Sequence, residues 1–145
     1  MNSWVVVDSN IFLATVIPDE RMQKAYALIE YIEQNGLNIT APTLFRYEVV
    51  AVIRRQFGRG LINFEEANHA ITLLLAKSIL FSVTDKLLQR GFEIANQFNF
   101  PTAYDSQYLA VAEQLGCEFW TIDKRIVDTV APTWAWVKWL GNFTG

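Results

Sequence analysis

The chain has 145 residues, which suits one domain with a sizeable core, and 52% of them are hydrophobic, which argues against disorder. Its net charge of −3 and pI of about 5.1 argue against a protein that binds nucleic acid mainly through a broad basic surface, but leave room for an enzyme that touches a few phosphates. Cys117 is the only cysteine, which excludes an intrachain disulfide and a cysteine-rich zinc site.

The first half of the chain alternates short β-type runs with helical runs. Hydrophobic residues at 25, 28, 29 and 32 have the i, i+3, i+4, i+7 spacing of an amphipathic helix. The predicted elements are a strand at 4–7, a helix that ends at Asn35-Gly36, a strand at 39–41, a helix from Pro42-Thr43 to about 57 that is ended by Gly58 and Gly60, and a helix at about 64–77.

The second half continues this alternation. Residues 79–83 form a strand or the end of the preceding helix, because a short apolar run fits both periods. The other predicted elements are a helix from Thr84-Asp85 that ends before Pro101, a helix at 102–115 closed by Gly116, a strand at 118–121, a helical turn from Asp123, and a last strand at 134–137. The alternation predicts an α/β fold whose mostly parallel sheet is covered on both faces.

No segment of the sequence is typical of a membrane or export signal. The apolar stretch at 4–7 is cut short by Asp8 and has no basic segment before it, and the stretch at 70–83 contains Lys77 and is too short to span a bilayer. We therefore expect one soluble, cytoplasmic domain over residues 1–145.

Two aspartates directly follow predicted strands. Asp8 ends the strand at 4–7, and Asp123 comes just after the strand at 118–121. If these strands are parallel and adjacent, both side chains project into one crevice beyond the sheet. The alternative for each residue taken singly is that it caps the helix that follows it.

Two further carboxylates lie on apolar helix faces. Glu48 shares its face with Leu44, Phe45, Ala51 and Val52, and Asp105 shares its face with Tyr108, Leu109 and Ala112. A buried carboxylate needs compensation, which a metal ion supplies. The alternatives are an ion pair between Glu48 and Arg55, and a capping box formed by Thr102 and Asp105.

Together, Asp8, Glu48, Asp105 and Asp123 predict an all-oxygen site. Carboxylates brought into one pocket repel one another, and a hard divalent cation such as Mg²⁺ or Mn²⁺ removes that cost. Cations held in this way are suited to phosphodiester hydrolysis.

At these residues the sequence resembles the PIN-domain nucleases, and among them the VapC-type toxins of bacterial and archaeal toxin–antitoxin pairs. The matching segments are VVDSN at 6–10, Glu48 in an early helix, YDSQYLA at 104–110 and TID at 121–123. Their order and approximate spacing cover nearly the whole chain.

The resemblance implies a three-layer α/β/α sandwich and an Mg²⁺- or Mn²⁺-dependent endoribonuclease that leaves 5′-phosphate and 3′-hydroxyl ends. It makes Asp8, Glu48, Asp105 and Asp123 the catalytic metal ligands, supported by Asn10 and Thr121. It also implies a homodimer and a cognate antitoxin as partners. We interpret Arg54, Arg55 and Arg59 as contacts to the RNA backbone, with a solvated helix end as the alternative.

Three other readings remain open. A haloacid-dehalogenase-type phosphatase also begins with an aspartate after its first strand, but it needs a second aspartate where this chain has Asn10. The others are a PIN-fold nuclease of RNA processing and a non-catalytic module that binds RNA or protein.

We interpret His69 as a solvated surface residue. Trp134 and Trp136 are predicted to share one face of the last strand. Together with Trp139 they either pack in the core or face a partner.

Overall fold

The computed structural model describes residues 3–145. Within this range the strands are β1 (Trp4–Val7), β2 (Asn38–Pro42), β3 (Ile79–Ser82), β4 (Glu118–Thr121) and β5 (Val137–Trp139). The helices are α1 (Ser9–Ala14), α2 (Met22–Gln34), α3 (Leu44–Gly58), α4 (Phe64–Leu75), α5 (Asp85–Gln97), α6 (Asp105–Leu115) and α7 (Lys124–Val130), and a 3₁₀ turn follows at Leu140–Asn142.

One sheet with the strand order β3-β2-β1-β4-β5 forms the centre of the protein, and all of its strand pairs are parallel. Strand β1 lies in the middle, where Val5 pairs with Ile39 of β2 and Val6 pairs with Phe119 of β4. Residues 5–7 are buried, as expected when helices cover both faces of a parallel sheet. The predicted three-layer α/β/α fold is confirmed.

The helices pack against the sheet and against one another. Helix α6 is buried at residue 106 and at residues 108–112 and lies against β1, β2 and β4, and α5 packs along α6. Helix α1 contacts α2 and α3. The predicted periodicity of α2 is confirmed, because the residues at 25, 28, 29 and 32 are all buried. No helix within residues 3–145 combines the length and the apolar character that crossing a membrane requires.

Most predicted elements are confirmed, and the ambiguous run at 79–83 is a strand. Two boundaries were wrong near the start of the helices that follow. Pro42 belongs to β2, where Ala41 and Pro42 are buried beside β3, and α3 begins only at Leu44. The helix predicted from Thr102 begins at Asp105, because residues 101–104 form bends after the stacked rings of Phe98 and Phe100.

The last strand was also misplaced. Val137–Trp139 forms β5, whereas Trp134 and Trp136 lie in the turn before it and stack on each other with ring centroids 5.1 Å apart. Trp134 also packs edge-on against Phe98. Both indoles are partly buried against the core, so the aromatic spacing that resembled a strand face reflects ring stacking in a turn.

Substitution of Phe45 measures how much the packing of α3 contributes to the stability of the core. Its side chain is 1% exposed and packs against Phe12 and Phe81, so we expect Phe45→Ala to lower the free energy of unfolding by about 3–5 kcal/mol. Chemical denaturation measures this change. Tyr47→Ala is the control on the same helix, because Tyr47 is 76% exposed and should change stability by no more than about 0.5 kcal/mol. Equal effects of the two substitutions would contradict the packing described here.

Candidate active site

Asp8 and Asp123 lie at the same edge of the sheet. Asp8 follows β1, Asp123 comes two residues after the end of β4, and β1 and β4 are parallel neighbours. Both residues also cap helices: the Asp8 carboxylate accepts from the amide of Asn10 at 3.3 Å, and the Asp123 carboxylate accepts from the amide of Arg125 at 2.9 Å. The two aspartates therefore lie at one edge of the sheet, and each also caps the helix that follows it.

Thr121 joins these two aspartates. Its buried hydroxyl donates to Asp8 Oδ2 at 2.9 Å and accepts from the backbone amide of Asp123 at 3.1 Å. Asn10 contributes its backbone amide to Asp8, while its exposed side chain lines a neighbouring cleft. The two supporting residues proposed from the sequence thus both contact Asp8, Thr121 through its side chain and Asn10 through its backbone.

Glu48 is held by two hydroxyl groups. Its Oε1 accepts from the phenol of Tyr108 at 2.5 Å and from Ser9 Oγ at 3.1 Å. Ser9 Oγ also lies 3.4 Å from Asp8 Oδ1, so Ser9 stands between the two carboxylates. Among the residues that the structure describes, no ion pair joins Glu48 to Arg55, and that alternative is wrong.

Asp105 is the first residue of α6 and is half-buried. The capping box with Thr102 is wrong, because the helix begins three residues later than predicted and Tyr104 occupies the N-cap position. In residues 3–145 no hydrogen bond reaches the Asp105 carboxylate, yet its charge acts on Asp8 and Glu48, and it feels the charge of Asp123. The four acids predicted from the sequence therefore form one electrostatically coupled group.

Burial sets the ionisation of three of these acids. It raises the pKa of Asp8 to about 7, against hydrogen bonds from Thr121 and Asn10 that lower it, and the charges of Glu48 and Asp105 raise it further. Burial also raises the pKa of Glu48 despite the hydrogen bonds from Tyr108 and Ser9. For Asp105, burial and the charge of Asp123 raise the pKa. The fold thus gathers carboxyl groups that are costly to ionise, because burial removes them from solvent.

Asp123 differs because an arginine neutralises it. Burial raises its pKa, but the side chain and backbone amide of Arg125 donate to it, and with the charge of Arg125 they hold the pKa below its usual value. Arg125 Nη2 lies 3.1 Å from Asp123 Oδ2, while the Arg125 side chain is 91% exposed. One of the four acids is therefore paired with an exposed arginine of the same chain.

The donor set suits a hard cation, but the ligand geometry is not formed in advance. All four side chains offer carboxylate oxygens, the ligands that Mg²⁺ and Mn²⁺ prefer. Across residues 3–145, however, no three histidine, cysteine, aspartate or glutamate side chains form a group that could hold a metal ion. Arg125 holds Asp123, and hydroxyl groups hold Asp8 and Glu48. The chemistry of the site fits a divalent cation, which Asp123 could join only if Arg125 released its carboxylate.

Sequence reasoning missed three residues of the site. Ser9 and Tyr108 both hold Glu48, and Arg125 holds Asp123. A signal existed for two of them, because Ser9 follows Asp8 directly and Tyr108 lies one helical turn after Asp105 on the same face. For Arg125 the spacing of two residues after a helix-capping aspartate carries little information by itself.

The arginines and the histidine discussed in the sequence analysis lie at the surface of the protein. Arg54 lies over the ring of Phe57 at 5.6 Å, Arg55 lines a cleft beside Asp123, and Arg59 is exposed at the end of α3. His69 is exposed on α4, as predicted.

Residues 5–131 match the family model of the PIN domain. The chain belongs to the PIN domain family. This membership confirms the resemblance to the PIN-domain family that the sequence indicated, and the matched region spans the segments that contain the four acids.

The chain is also similar, over most of its length, to proteins that are named ribonucleases. The chain is 26% identical over 127 residues to Ribonuclease VapC3 of Pyrobaculum aerophilum, which covers 86% of this chain and 92% of that protein. It is also 26% identical over 125 residues to Ribonuclease VapC9 of Mycobacterium tuberculosis, covering 86% and 90% of the two chains.

Two solved structures share the fold of this PIN domain. A chain of a toxin–antitoxin complex from Klebsiella pneumoniae superposes with a TM-score of 0.62 at 12% identity, covering 92% of this chain and 94% of that one. A chain of the crystal structure of VapBC2 from Rickettsia felis bound to a DNA fragment from their promoter superposes with a TM-score of 0.64 at 11% identity, covering 94% and 96%. At these identities the likeness establishes the fold.

The raised pKa of Asp8 makes the stability of the metal-free protein depend on pH. Between the ordinary value of 3.8 and about 7, folded Asp8 keeps a proton that the unfolded chain releases. Its contribution to stability is therefore full below the ordinary pKa and is lost as the pH rises towards 7. Glu48 and Asp105 act in the same direction because their pKa values are also raised.

We therefore expect the thermal midpoint of the wild type in EDTA to fall as the pH is raised from about 5 to about 8, and Asp8→Asn to reduce that fall. Scanning calorimetry across this range measures the slope. Asp128→Asn is the control, because Asp128 is an exposed surface acid paired with Lys124. A slope in Asp8→Asn equal to that of the wild type would show that Asp8 is not the titrating group.

Proposed function

We propose that this chain is an Mg²⁺- or Mn²⁺-dependent endoribonuclease, a single PIN domain over residues 1–145, and the toxin of a VapBC-type pair. The observation that carries the proposal is the coupled group of buried and half-buried carboxylates at the carboxyl ends of β1 and β4. Relatives that cover most of the chain are named ribonucleases. No such concentration of unrelieved negative charge is needed to stabilise the fold.

In this proposal Asp8, Glu48, Asp105 and Asp123 hold the cation. When bound, the cation supplies Lewis acidity to a phosphodiester and lowers the pKa of water in the site. Thr121 keeps Asp8 oriented, and the Tyr108 and Ser9 hydroxyls keep Glu48 oriented. Water attacks the phosphorus in line, the bond to the 3′-oxygen breaks, and the proton that the water loses is balanced by the one that the 3′-oxygen takes up. No side chain acts as a nucleophile.

Asp123 differs from the other acids because Arg125 already pairs with it. If Asp123 held the cation together with the other acids, the Arg125 guanidinium would have to leave this carboxylate. Its exposed charge would then lie beside the site, where it could pair with a phosphate group of the substrate.

The basic end of α3 is proposed to hold the RNA backbone. Arg54, Arg55 and Arg59 lie on this segment, and Arg55 lines the cleft that contains Asp123. A few such contacts are compatible with the acidic net charge of the chain, because affinity depends on the phosphates touched and not on the overall charge.

The proposed protein partners are a cognate antitoxin and a second copy of the chain. The two solved structures that share the fold are a toxin–antitoxin complex and VapBC2 bound to a promoter DNA fragment. Large apolar side chains stand exposed on and next to α3 and α4, including Tyr47, Leu61 and Phe64. We propose that these side chains belong to an interaction surface. A monomer at micromolar concentration by light scattering would contradict the homodimer.

A second candidate is a PIN fold that binds RNA or protein without catalysis. The specific observation that favours it is that the acids form no group ready to hold a metal within residues 3–145. A nuclease of RNA processing outside toxin–antitoxin pairs shares the proposed chemistry and differs in its partners. Metal binding and cleavage assays separate the non-catalytic module from both enzymes.

We expect Asp8→Asn and Asp105→Asn each to abolish Mg²⁺-dependent RNA cleavage without unfolding the protein, because each substitution removes one anionic oxygen ligand. Denaturing gels of a labelled single-stranded RNA, with and without EDTA, give the readout, and circular dichroism monitors the fold. Asp128→Asn, in the exposed pair with Lys124, should cleave like the wild type. Full activity in both site variants would end the metal-site proposal.

Mn²⁺ binding tests the ligand set without requiring turnover. We expect Glu48→Gln to weaken Mn²⁺ binding by more than the roughly 10–100-fold that loss of a supporting partner costs. Titration followed by the electron paramagnetic resonance signal of free Mn²⁺ measures the affinity. Glu65→Gln changes the net charge equally at an exposed position on α4 and should leave the affinity unchanged. Equal loss in the two variants would show that only net charge matters.

A further inference from the structure

A small pocket lies at the end of the sheet opposite the acidic group. It is formed at the amino ends of β1 and β4, where Trp4 and Glu118 are the first residues of their strands. Asp8 and Asp123 lie beyond the carboxyl ends of the same two strands. The volume of the pocket, about 240 Å³, is below the roughly 300–1,000 Å³ of sites for drug-sized ligands, so it suits a smaller ligand.

Aromatic residues from three elements line this pocket. They are Trp4 of β1, Tyr31 of α2 and Trp120 of β4. The rings of Tyr31 and Trp120 both pack edge-on against Phe143, at centroid distances of 5.7 Å and 5.6 Å, and Phe143 is itself buried. These contacts hold the two rings in place. Because the faces of aromatic rings carry partial negative charge, such a lining attracts cations as well as apolar groups.

Glu118 adds a carboxylate to the aromatic lining. Its Oε1 accepts from Trp120 Nε1 at 3.2 Å, which keeps the carboxylate beside one of the rings. Within residues 3–145, Glu118 takes part in no ion pair, and no lysine or arginine lines the pocket. Aromatic faces next to a carboxylate that has no cationic partner favour a positively charged ligand over a neutral one.

The lining also indicates which kind of cation fits. A primary ammonium group has three N–H donors and is strongly hydrated, so its burial requires several acceptors. Glu118 is the one carboxylate that lines the pocket within residues 3–145, and buried aliphatic side chains complete the lining, including Val5, Leu28 and Ile32. A quaternary ammonium ion has no N–H donor, and its methyl groups can pack against aromatic and aliphatic side chains.

From these observations we infer that the pocket lined by Trp4, Tyr31, Trp120 and Glu118 binds a small quaternary ammonium ion that is free in solution. The methyl groups of the ligand pack against the three rings, and the Glu118 carboxylate lies near its charge. Glu33, another exposed acid, lines the adjoining pocket together with Trp4, and charged groups at this surface oppose its insertion into a bilayer. The site is independent of the acidic group and of the proposed nuclease function.

Nuclear magnetic resonance of the indole N–H groups tests this site directly. Choline chloride is titrated into the ¹⁵N-labelled protein at constant ionic strength, and 3,3-dimethylbutan-1-ol, which has the same shape without the charge, is titrated in parallel. The signals of Trp4 and Trp120 are assigned with Trp4→Phe and Trp120→Phe. We expect choline to shift both signals with a Kd on the order of 1 mM, and the alcohol to bind at least about fivefold more weakly, as the loss of one cation–π contact predicts.

Variants at Glu118 separate the charge of the pocket from its shape. Glu118→Gln should weaken choline binding by about fivefold or more and leave binding of the alcohol unchanged, because it removes the charge and keeps the size of the side chain. Glu65→Gln changes the net charge equally at an exposed position on α4 and should leave choline binding unchanged. The backbone amide signals recorded in the same spectra monitor the fold of each variant.

Variants at Tyr31 test the contribution of an aromatic face. Tyr31 is 45% exposed, so its substitution disturbs the core little. Tyr31→Leu should weaken choline binding more than binding of the alcohol, because it removes a ring and keeps an apolar side chain. Tyr31→Phe should bind choline like the wild type, because it keeps the ring and removes only the hydroxyl group.

Several outcomes would overturn the inference. They are equal affinity for choline and the alcohol, no saturable shift of the Trp4 and Trp120 signals, or unchanged choline affinity in Glu118→Gln. Sedimentation of the protein with phosphatidylcholine vesicles, without binding of free choline, would assign the pocket to a lipid headgroup and would also overturn it. None of these results depends on whether the protein cleaves RNA, so the pocket and the proposed nuclease function are tested separately.

Discussion

The parallel pairing of β1 with β4 is the constraint on which the acidic group depends. Because the two strands run in the same direction in adjacent positions, the residues that follow them emerge at one edge of the sheet. The hydroxyl of Thr121 then fixes the two strand ends relative to each other by contacting both Asp8 and the Asp123 amide. Loss of this register would separate the aspartates and leave each as an ordinary helix cap.

Helix packing adds the other two acids to this edge. Glu48 reaches it from α3 and is fixed there by Tyr108, which belongs to α6. The same helix begins with Asp105, so one rigid, largely apolar helix both supplies an acid and orients another. The free-energy cost of burying these charges, to which their mutual repulsion adds, is visible in the raised pKa values of Asp8, Glu48 and Asp105. Structures retain such costly groups mainly at functional sites.

The sequence was sufficient to predict the fold class and the four acids, because both depend on local pattern. Strand runs ended by Asp8 and Asp123 and helix faces that carry Glu48 and Asp105 can be read without tertiary information. The partners of these acids could not be predicted in the same way. Whether Glu48 pairs with Arg55 or with the hydroxyls of Ser9 and Tyr108 depends on how α1, α3 and α6 meet, which no periodicity describes.

The errors at element boundaries have the same origin. Thr102 and Asp105 have the spacing of a capping box, but residues 101–104 form bends and α6 begins only at Asp105. Phe98, just before these bends, packs against the distant Trp134. Likewise the alternating Trp134 and Trp136 resemble a strand face, and their stacking in a turn is equally compatible with that spacing. Local sequence patterns predict poorly at which residue a helix or strand begins. They predict better which face of the helix or strand a residue occupies.

The contact between Arg125 and Asp123 has a kinetic consequence. Asp123 remains capped by a backbone amide whether or not the guanidinium is present, so breaking this contact leaves α7 intact. The arginine side chain is almost wholly in solvent, and exposed side chains change rotamer within picoseconds to nanoseconds. Exchange between an arginine-held and an open carboxylate therefore needs only rotation about a few single bonds, which is much faster than loop or domain motions.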